Sequence, residues 1–268
     1  MPSTCLLLQP SCSNLAPNEV TPEPNKGLKL ACLIGACWFV SLVVCLCFPV
    51  QQECLSVVIA LVLLRSFLHT GLFIVAHDAM HQSLAPKSLP LNHRIGNWCL
   101  IAYAGLSYKR CTLNHHLHHQ SPESKSDPDY HHTDDQSILG WYIHFLGNYI
   151  GKLQIIRLAV IWLFLFLISL SFQEYAARAV VLFAILPLII SSWQLFLIGT
   201  CLPHRKRCDD NKTSNHPRSL RLPAALSFAA CYHFGYHWEH HQFPSTPWYQ
   251  LPSLDVAYQQ HQKSNHHR

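Results

Sequence analysis

The sequence predicts an all-α integral membrane protein: four transmembrane helices arranged as two hairpins, with a histidine-rich cytoplasmic cap and short interfacial helices. Three observations predict it. Apolar runs at 30–50, 55–76, 155–172 and 179–202 approach the length needed to cross a bilayer, about 20 residues. Charged residues make up only 12% of the 268-residue chain, against roughly 25% in a soluble domain. Histidine is in excess at 20 residues, and most of it gathers beside the apolar runs.

The first segment, Met1–Lys26, is rich in Pro, Ser and Asn and lacks the charged start and apolar core of a signal peptide. Residues 1–27 therefore read as a disordered cytoplasmic tail, 28–258 as one membrane domain, and 259–268 as a loose C-terminal tail with solvated His266 and His267. Most of the twelve cysteines lie in or beside apolar runs and no C-x-x-C pair occurs, so they read as small apolar residues within helices. Spacing excludes a zinc ribbon.

The first two spans are joined only by residues around Gln51–Glu53, the last two by Gln173–Arg178. Links this short make two helical hairpins with both tight turns on one side. Of lysine and arginine, those turns carry only Arg178. The segment between the hairpins carries Lys87, Arg94, Lys109, Arg110, Lys125 and Lys152, and the C-terminal segment carries Arg205, Lys206, Arg207, Lys212, Arg218 and Arg221. The positive-inside rule puts both larger segments in the cytoplasm. The net charge of +5 is too diluted by apolar sequence for a nucleic-acid surface and suits loops lying on anionic lipid. Ile95–Tyr108 and Leu222–Phe234 are too short to span and read as interfacial or re-entrant helices. Arg65 and His69, one turn apart in the second span, read as a structural pairing inside the bundle.

Three histidine clusters border the cytoplasmic segments. His77 and His81 fall at i and i+4; His115, His118 and His119, like His237, His240 and His241, fall at i, i+3 and i+4. On a helix these spacings share one face, so each cluster presents two or three imidazoles together. Eight imidazoles are too many for one zinc, which closes at four ligands. A site at the mouth of an apolar bundle suits oxygen chemistry on a lipid-soluble substrate, which favours two iron ions. Asp78 and Glu239 lie within the clusters, placed to accept the outer N–H of a ligand imidazole or to sit on a helix surface. Asp127-Pro128-Asp129 reads most simply as a turn, with the same supporting role open to Asp127 and Asp129. His116 reads as facing outward.

The three boxes H-x-x-x-H, H-x-x-H-H and H-x-x-H-H resemble those of the membrane fatty-acid desaturase and hydroxylase superfamily. The flanking words, Asp127-Pro-Asp-Tyr-His131, Leu202-Pro-His204-Arg205, Cys231-Tyr-His-Phe-Gly-Tyr-His237 and Pro247-Trp-Tyr-Gln-Leu-Pro252, resemble bacterial and cyanobacterial β-carotene ketolases. The likeness runs from about Thr70 to Pro252. It implies a di-iron centre held by His77, His81, His115, His118, His119, His237, His240 and His241. His204, at the end of the fourth span, is the ninth ligand by the same likeness, and His233 is its alternative. The implied reaction is O2-dependent hydroxylation of β-carotene at ring C4, repeated and followed by dehydration to the ketone. A soluble ferredoxin-like donor would supply electrons, in a bacterial inner or thylakoid membrane. Trp98, Trp141, Phe145, Trp238 and Trp248 are candidates either for an apolar substrate pocket or for membrane-interface anchors.

The chain departs from that pattern at Gln82, where Gly is expected, at Tyr249, where Trp is expected, and at Gln120-Ser121. A carotenoid ring hydroxylase and a fatty-acid desaturase are the alternatives within the superfamily. A histidine-rich metal transporter needs ligands near the bilayer midplane, where polarity is limited to Arg65, His69 and Gln194. A bis-histidine haem carrier needs ligands facing one another within the spans.

Overall fold

The computed structural model describes residues 25–131, 137–205 and 217–257, which form helices and connections with no strand among them. Of the tails expected at 1–27 and 259–268, residues 1–24 and 259–268 lie outside the described residues, as do Lys206, Arg207 and Lys212, whereas Lys26 and Gly27 already belong to the first helix.

Four helices are long and apolar enough to cross a membrane: α1 (Lys26–Cys47), α2 (Leu55–Met80), α6 (Lys152–Leu170) and α7 (Ala176–His204). Between them lie α3 (Leu89–Ala104), α4 (Tyr108–Gln120) and α5 (Ile138–Tyr149), and after them α8 (Ala224–Cys231) and α9 (His237–Gln242). The ends differ from the sequence expectation for local reasons. Helix α1 stops at Cys47 because Phe48, preceding Pro49, is extended at φ −113° and ψ 147°. Helix α2 runs four residues beyond Ala76 and so carries His77 within its last turn, with His81 as its C-cap. The expected interfacial helix at 95–108 is two helices, separated by Gly105 at φ 65°, a left-handed conformation that suits glycine. Helix α5 has no counterpart in the expectation. It buries Trp141 and Tyr142 while Leu139 and Ile143 stay exposed.

Burial ranks the spans. In α2, 56% of the apolar window is enclosed by protein, against 11% in α6, which presents Ile155, Val160, Leu163, Phe164 and Leu167 outward. Helix α2 is therefore the central post. An outer face this apolar fits a lipid boundary.

Inside the bundle Arg65, 1% exposed, does not pair with His69 directly. Its guanidinium donates to the carbonyls of Phe183 (3.0 Å) and Trp38 (2.7 Å), tying α2 to α7 and α1. The Trp38 indole then donates to His69 Nδ1 (3.0 Å), which leaves His69 Nε2–H to donate to the Tyr103 carbonyl at 2.7 Å. Arg65 and His69 are thus satisfied in part by backbone on three different helices.

Helix α7 contains two π-helical turns, Val181–Ile185 and Leu197–Cys201. The second lies just before His204, and each extra residue in such a turn rotates the helix that follows. Within it, a Cβ on Gly199 would collide with the ring of Phe234, so glycine lets α7 and the segment before α9 close together.

Gln82 has φ 61°, immediately after the first histidine cluster, which accounts for the glycine expected there. A side chain in this conformation is strained by about 1–2 kcal/mol, partly offset by the lower unfolded-state entropy of a non-glycine residue. Gln82→Gly is expected to raise the unfolding temperature of the detergent-solubilised protein, and Gly105→Ala to lower it. Equal melting of both variants and the parent would mean that neither turn carries backbone strain.

Candidate metal centre

Helices α2, α4, α7 and α9 bring nine of the predicted histidines to one place. Helical spacing sorts them. The i, i+3 step in α4 sends His115 to one side and His118 to the other; in α9 His240 goes with His115, while His237 and His241 go with His118. One group is His77, His81, His115 and His240, the other His118, His204, His237 and His241, with the nitrogens of each group within 4.8 Å of one another. His81 Nε2 lies 2.7 Å from His115 Nε2, and the His77 ring lies 4.5 Å from those of His115 and His240. In the second group His204 Nε2 is 2.9 Å from His237 Nε2, and His241 Nε2 is 3.1 Å from those of His118 and His237. His119 sits between the groups, its Nε2 2.9 Å from His240 Nε2 and its ring stacked on His241 at 4.1 Å.

Carboxylates fix two tautomers. Both oxygens of Asp127 lie 3.0 Å from His118 Nδ1, and Glu123 Oε1 lies 3.2 Å from His204 Nδ1. Those nitrogens therefore carry the hydrogen, and the lone pairs of both Nε2 atoms face inward. Asp127 also accepts from the amides of Glu123 (2.8 Å) and Asp129 (2.9 Å), so the expected turn and the supporting role coexist in one side chain. Glu123 was not legible in the sequence, since its partner is 81 positions away.

Burial holds His115, His237, His240 and His241 well below the usual imidazole range, and neighbouring imidazoles add to it. Burial likewise pulls His81 down to about 3 and His119 to about 2. These rings are neutral at physiological pH, the form that binds metal. His118 goes the other way: burial pulls it down, but the Asp127 hydrogen bond and the charges of Asp129 and Glu123 outweigh that and raise it. Asp127 is lowered, burial being outweighed by His118 and the two backbone amides.

The other predicted residues are placed differently. The Asp78 carboxylate faces the amide of Trp248 at 3.3 Å, and Glu239 accepts from the Ser219 hydroxyl; neither supports an imidazole. Asp129 accepts the Tyr149 hydroxyl at 2.6 Å, and burial raises its carboxyl to about 6. His233 lies tilted beside Phe228, stacks near Trp248 and belongs to neither group. His116 does not face fully outward: it is half-buried, with Nε2 3.2 Å from the Met80 carbonyl. Beside the imidazoles lies a cavity of about 40 Å³, walled by Phe73, Met80, Phe145, Leu195 and Phe234 and reached by His77, His115, His118, His237, Asp129 and Tyr149. Of the aromatic candidates Phe145 lines it, Trp141 is buried next to it with its indole on the Asp129 carbonyl (2.8 Å), and Trp98 is 68% exposed.

The arrangement can hold cations. His77 Nε2 is buried with no hydrogen-bond partner, amid three other nitrogens of its group. Such an orphan is costly unless something positive accepts its lone pair.

Comparison with known proteins agrees with this architecture. The fatty acid desaturase family model matches residues 53–267. The chain is 39% identical over 189 residues to a β-carotene ketolase of a Paracoccus species, covering 70% of this chain and 75% of that one. It is 35% identical over 199 residues to a β-carotene ketolase of Haematococcus lacustris, covering 72% and 60%. It is 33% identical over 220 residues to a zeaxanthin 4-ketolase of Chlamydomonas reinhardtii, covering 80% and 48%. Four long apolar helices, a cluster of buried imidazoles and these matches place the chain in the fatty acid desaturase family, within its β-carotene ketolase branch.

Proposed function

We propose that the protein is an O2-dependent β-carotene 4-ketolase, converting β-carotene through echinenone to canthaxanthin by successive hydroxylation at ring C4 and loss of water. One observation carries the chemistry: two adjoining groups of four imidazoles, three of each buried and one half-buried, in a chain this similar to named ketolases. The donor set fits two iron ions, since imidazole suits iron and each group offers four imidazole nitrogens. His77, His81, His115 and His240 would hold one; His118, His204, His237 and His241 would hold the other, with His119 between them. His204 is preferred to His233 as the additional ligand because only His204 lies with the other nitrogens. Bound iron supplies the activation of dioxygen that breaking an allylic C–H bond requires.

The chain's own residues supply the rest. Phe73, Phe145, Leu195 and Phe234 give the substrate ring an apolar wall and exclude water. At about 40 Å³ the cavity holds a water molecule but not a six-membered ring, so these side chains must shift when the carotenoid enters. Asp127 and Glu123 keep imidazole lone pairs aimed inward. Electrons come from a soluble ferredoxin-like donor. The spans form two hairpins in a bacterial inner or thylakoid membrane, with the histidine face in the cytoplasm, as the lysine and arginine bias favours.

Expression in a β-carotene-producing host is expected to yield echinenone and canthaxanthin by pigment chromatography; zeaxanthin alone, or altered lipids with unchanged pigment, would sink the ketolase reading. His118→Ala and His240→Ala are each expected to abolish ketone formation and lower the iron bound per chain while leaving membrane insertion intact. Full iron content in both would remove these residues from the ligand set. Asp127→Asn should weaken iron retention roughly 10–100-fold, the usual effect of losing a partner behind a ligand, measured by iron release to a chelator.

A further inference from the structure

We propose that Asp129 and Tyr149 are the proton-delivery pair of the reaction, an inference that rests on the ketolase reading. Each hydroxylation consumes the C–H bond, one dioxygen, two electrons from the donor protein and two protons. The C–H and O–O bonds break and the C–O bond forms. The substrate's hydrogen ends on the alcohol, and the two outside protons end on the oxygen that leaves as water. Those protons must enter a cavity lined by hydrocarbon side chains, four imidazoles, Cys111, Thr200, Asp129 and Tyr149.

Two of the imidazoles are committed to other partners. The outer N–H groups of His118 and His204 point away, to Asp127 and Glu123. Among the described residues, Asp129 is the one carboxyl lining the cavity. It is 6% exposed and shares the cavity with His77, His115, His118 and His237. Its backbone is fixed on both sides: the amide donates to Asp127 Oδ1 at 2.9 Å, and the carbonyl accepts the Trp141 indole at 2.8 Å. Tyr149, at the end of α5 and also lining the cavity, donates its hydroxyl to Asp129 Oδ1 at 2.6 Å. Asp127 is committed to an imidazole, whereas Asp129, two residues on, is committed to a proton-bearing hydroxyl. A carboxyl that lines the cavity, with one oxygen held by the Tyr149 hydroxyl, can give a proton inward from its other oxygen and be reprotonated by solvent water, Tyr149 keeping it oriented.

The full-length iron-loaded protein in lipid nanodiscs, with β-carotene, dioxygen and a reduced ferredoxin, tests this through Asp129→Asn and Tyr149→Phe. Both substitutions are nearly isosteric and keep the backbone contacts. Iron content should stay at the parent value in both. Ketone formation should fall about 100-fold or more in Asp129→Asn, the usual scale for a lost general acid, and less in Tyr149→Phe. Reductant consumed per ketone should rise in both, with hydrogen peroxide accumulating, and the solvent deuterium effect on turnover should change. Asp129→Glu should recover part of the coupling.

Parent-like turnover and coupling in both variants overturns the proposal. So does loss of iron in Asp129→Asn with full coupling in Tyr149→Phe, which would make Asp129 a ligand. If the parent consumes dioxygen without making ketone, the ketolase reading fails alone, and the peroxide released by the variants still decides the role of the pair.

Discussion

The structure depends on crowding nine imidazoles into an apolar surround with their lone pairs turned toward one another. Water would hydrate and protonate such rings individually; an apolar surround removes that option, and mutual proximity makes protonation of any one costly to the rest. Burial alone would leave each ring free to choose its tautomer. Asp127 and Glu123 remove that choice for His118 and His204, since a carboxylate can only accept. Both acids lie in the short turn after α4, so one loop orients one imidazole from α4 and one from α7.

Everything long in the fold serves that constraint. Helix α2 is enclosed on most sides and fixed by Arg65, whose hydrogen bonds reach backbone on α1 and α7. A guanidinium buried in the bundle cannot move without leaving donors unpaired. The two helix ends that present His77 and His204 are thereby held in register. The π-helical turn at Leu197–Cys201 and the close approach of Gly199 to Phe234 then set the end of α7 against the α9 imidazoles.

Much of this was readable from the chain, because it rests on periodicity. The i, i+3, i+4 spacing of the boxes puts histidines on one helix face, and the apolar runs marked the four long helices to within a few residues at most ends. What periodicity does not encode was lost. Helix α5 is half-buried and mixes Trp, Tyr and His with apolar residues, so it matches neither a span nor a loop. Glu123 supports His204 across 81 positions. Asp78 and Glu239 were drawn to the imidazoles by sequence proximity, yet the helix turns their carboxylates toward Trp248 and Ser219. The π-helical turns leave no mark in composition. Gln82 is instructive in reverse: the missing glycine was visible, and only the backbone explains why it was expected.

Phe73 and Met80 from α2, Phe145 from α5, Leu195 from α7 and Phe234 give the cavity its hydrocarbon, while Asp129 and Tyr149, from the α4–α5 side, add a carboxyl and a hydroxyl beside the imidazoles. A hydrocarbon ring arriving between the long helices loses nothing by leaving lipid for these side chains. A proton arriving from the other side finds a carboxyl and a hydroxyl already hydrogen-bonded at 2.6 Å. Were the polar pair on the α2 wall, the ring would have to desolvate it on entry, at a cost of a few kcal/mol for an unpaired carboxyl. Because Asp129 and Tyr149 already satisfy one another, the proposed substrate ring needs only to displace hydrocarbon side chains to reach the imidazoles.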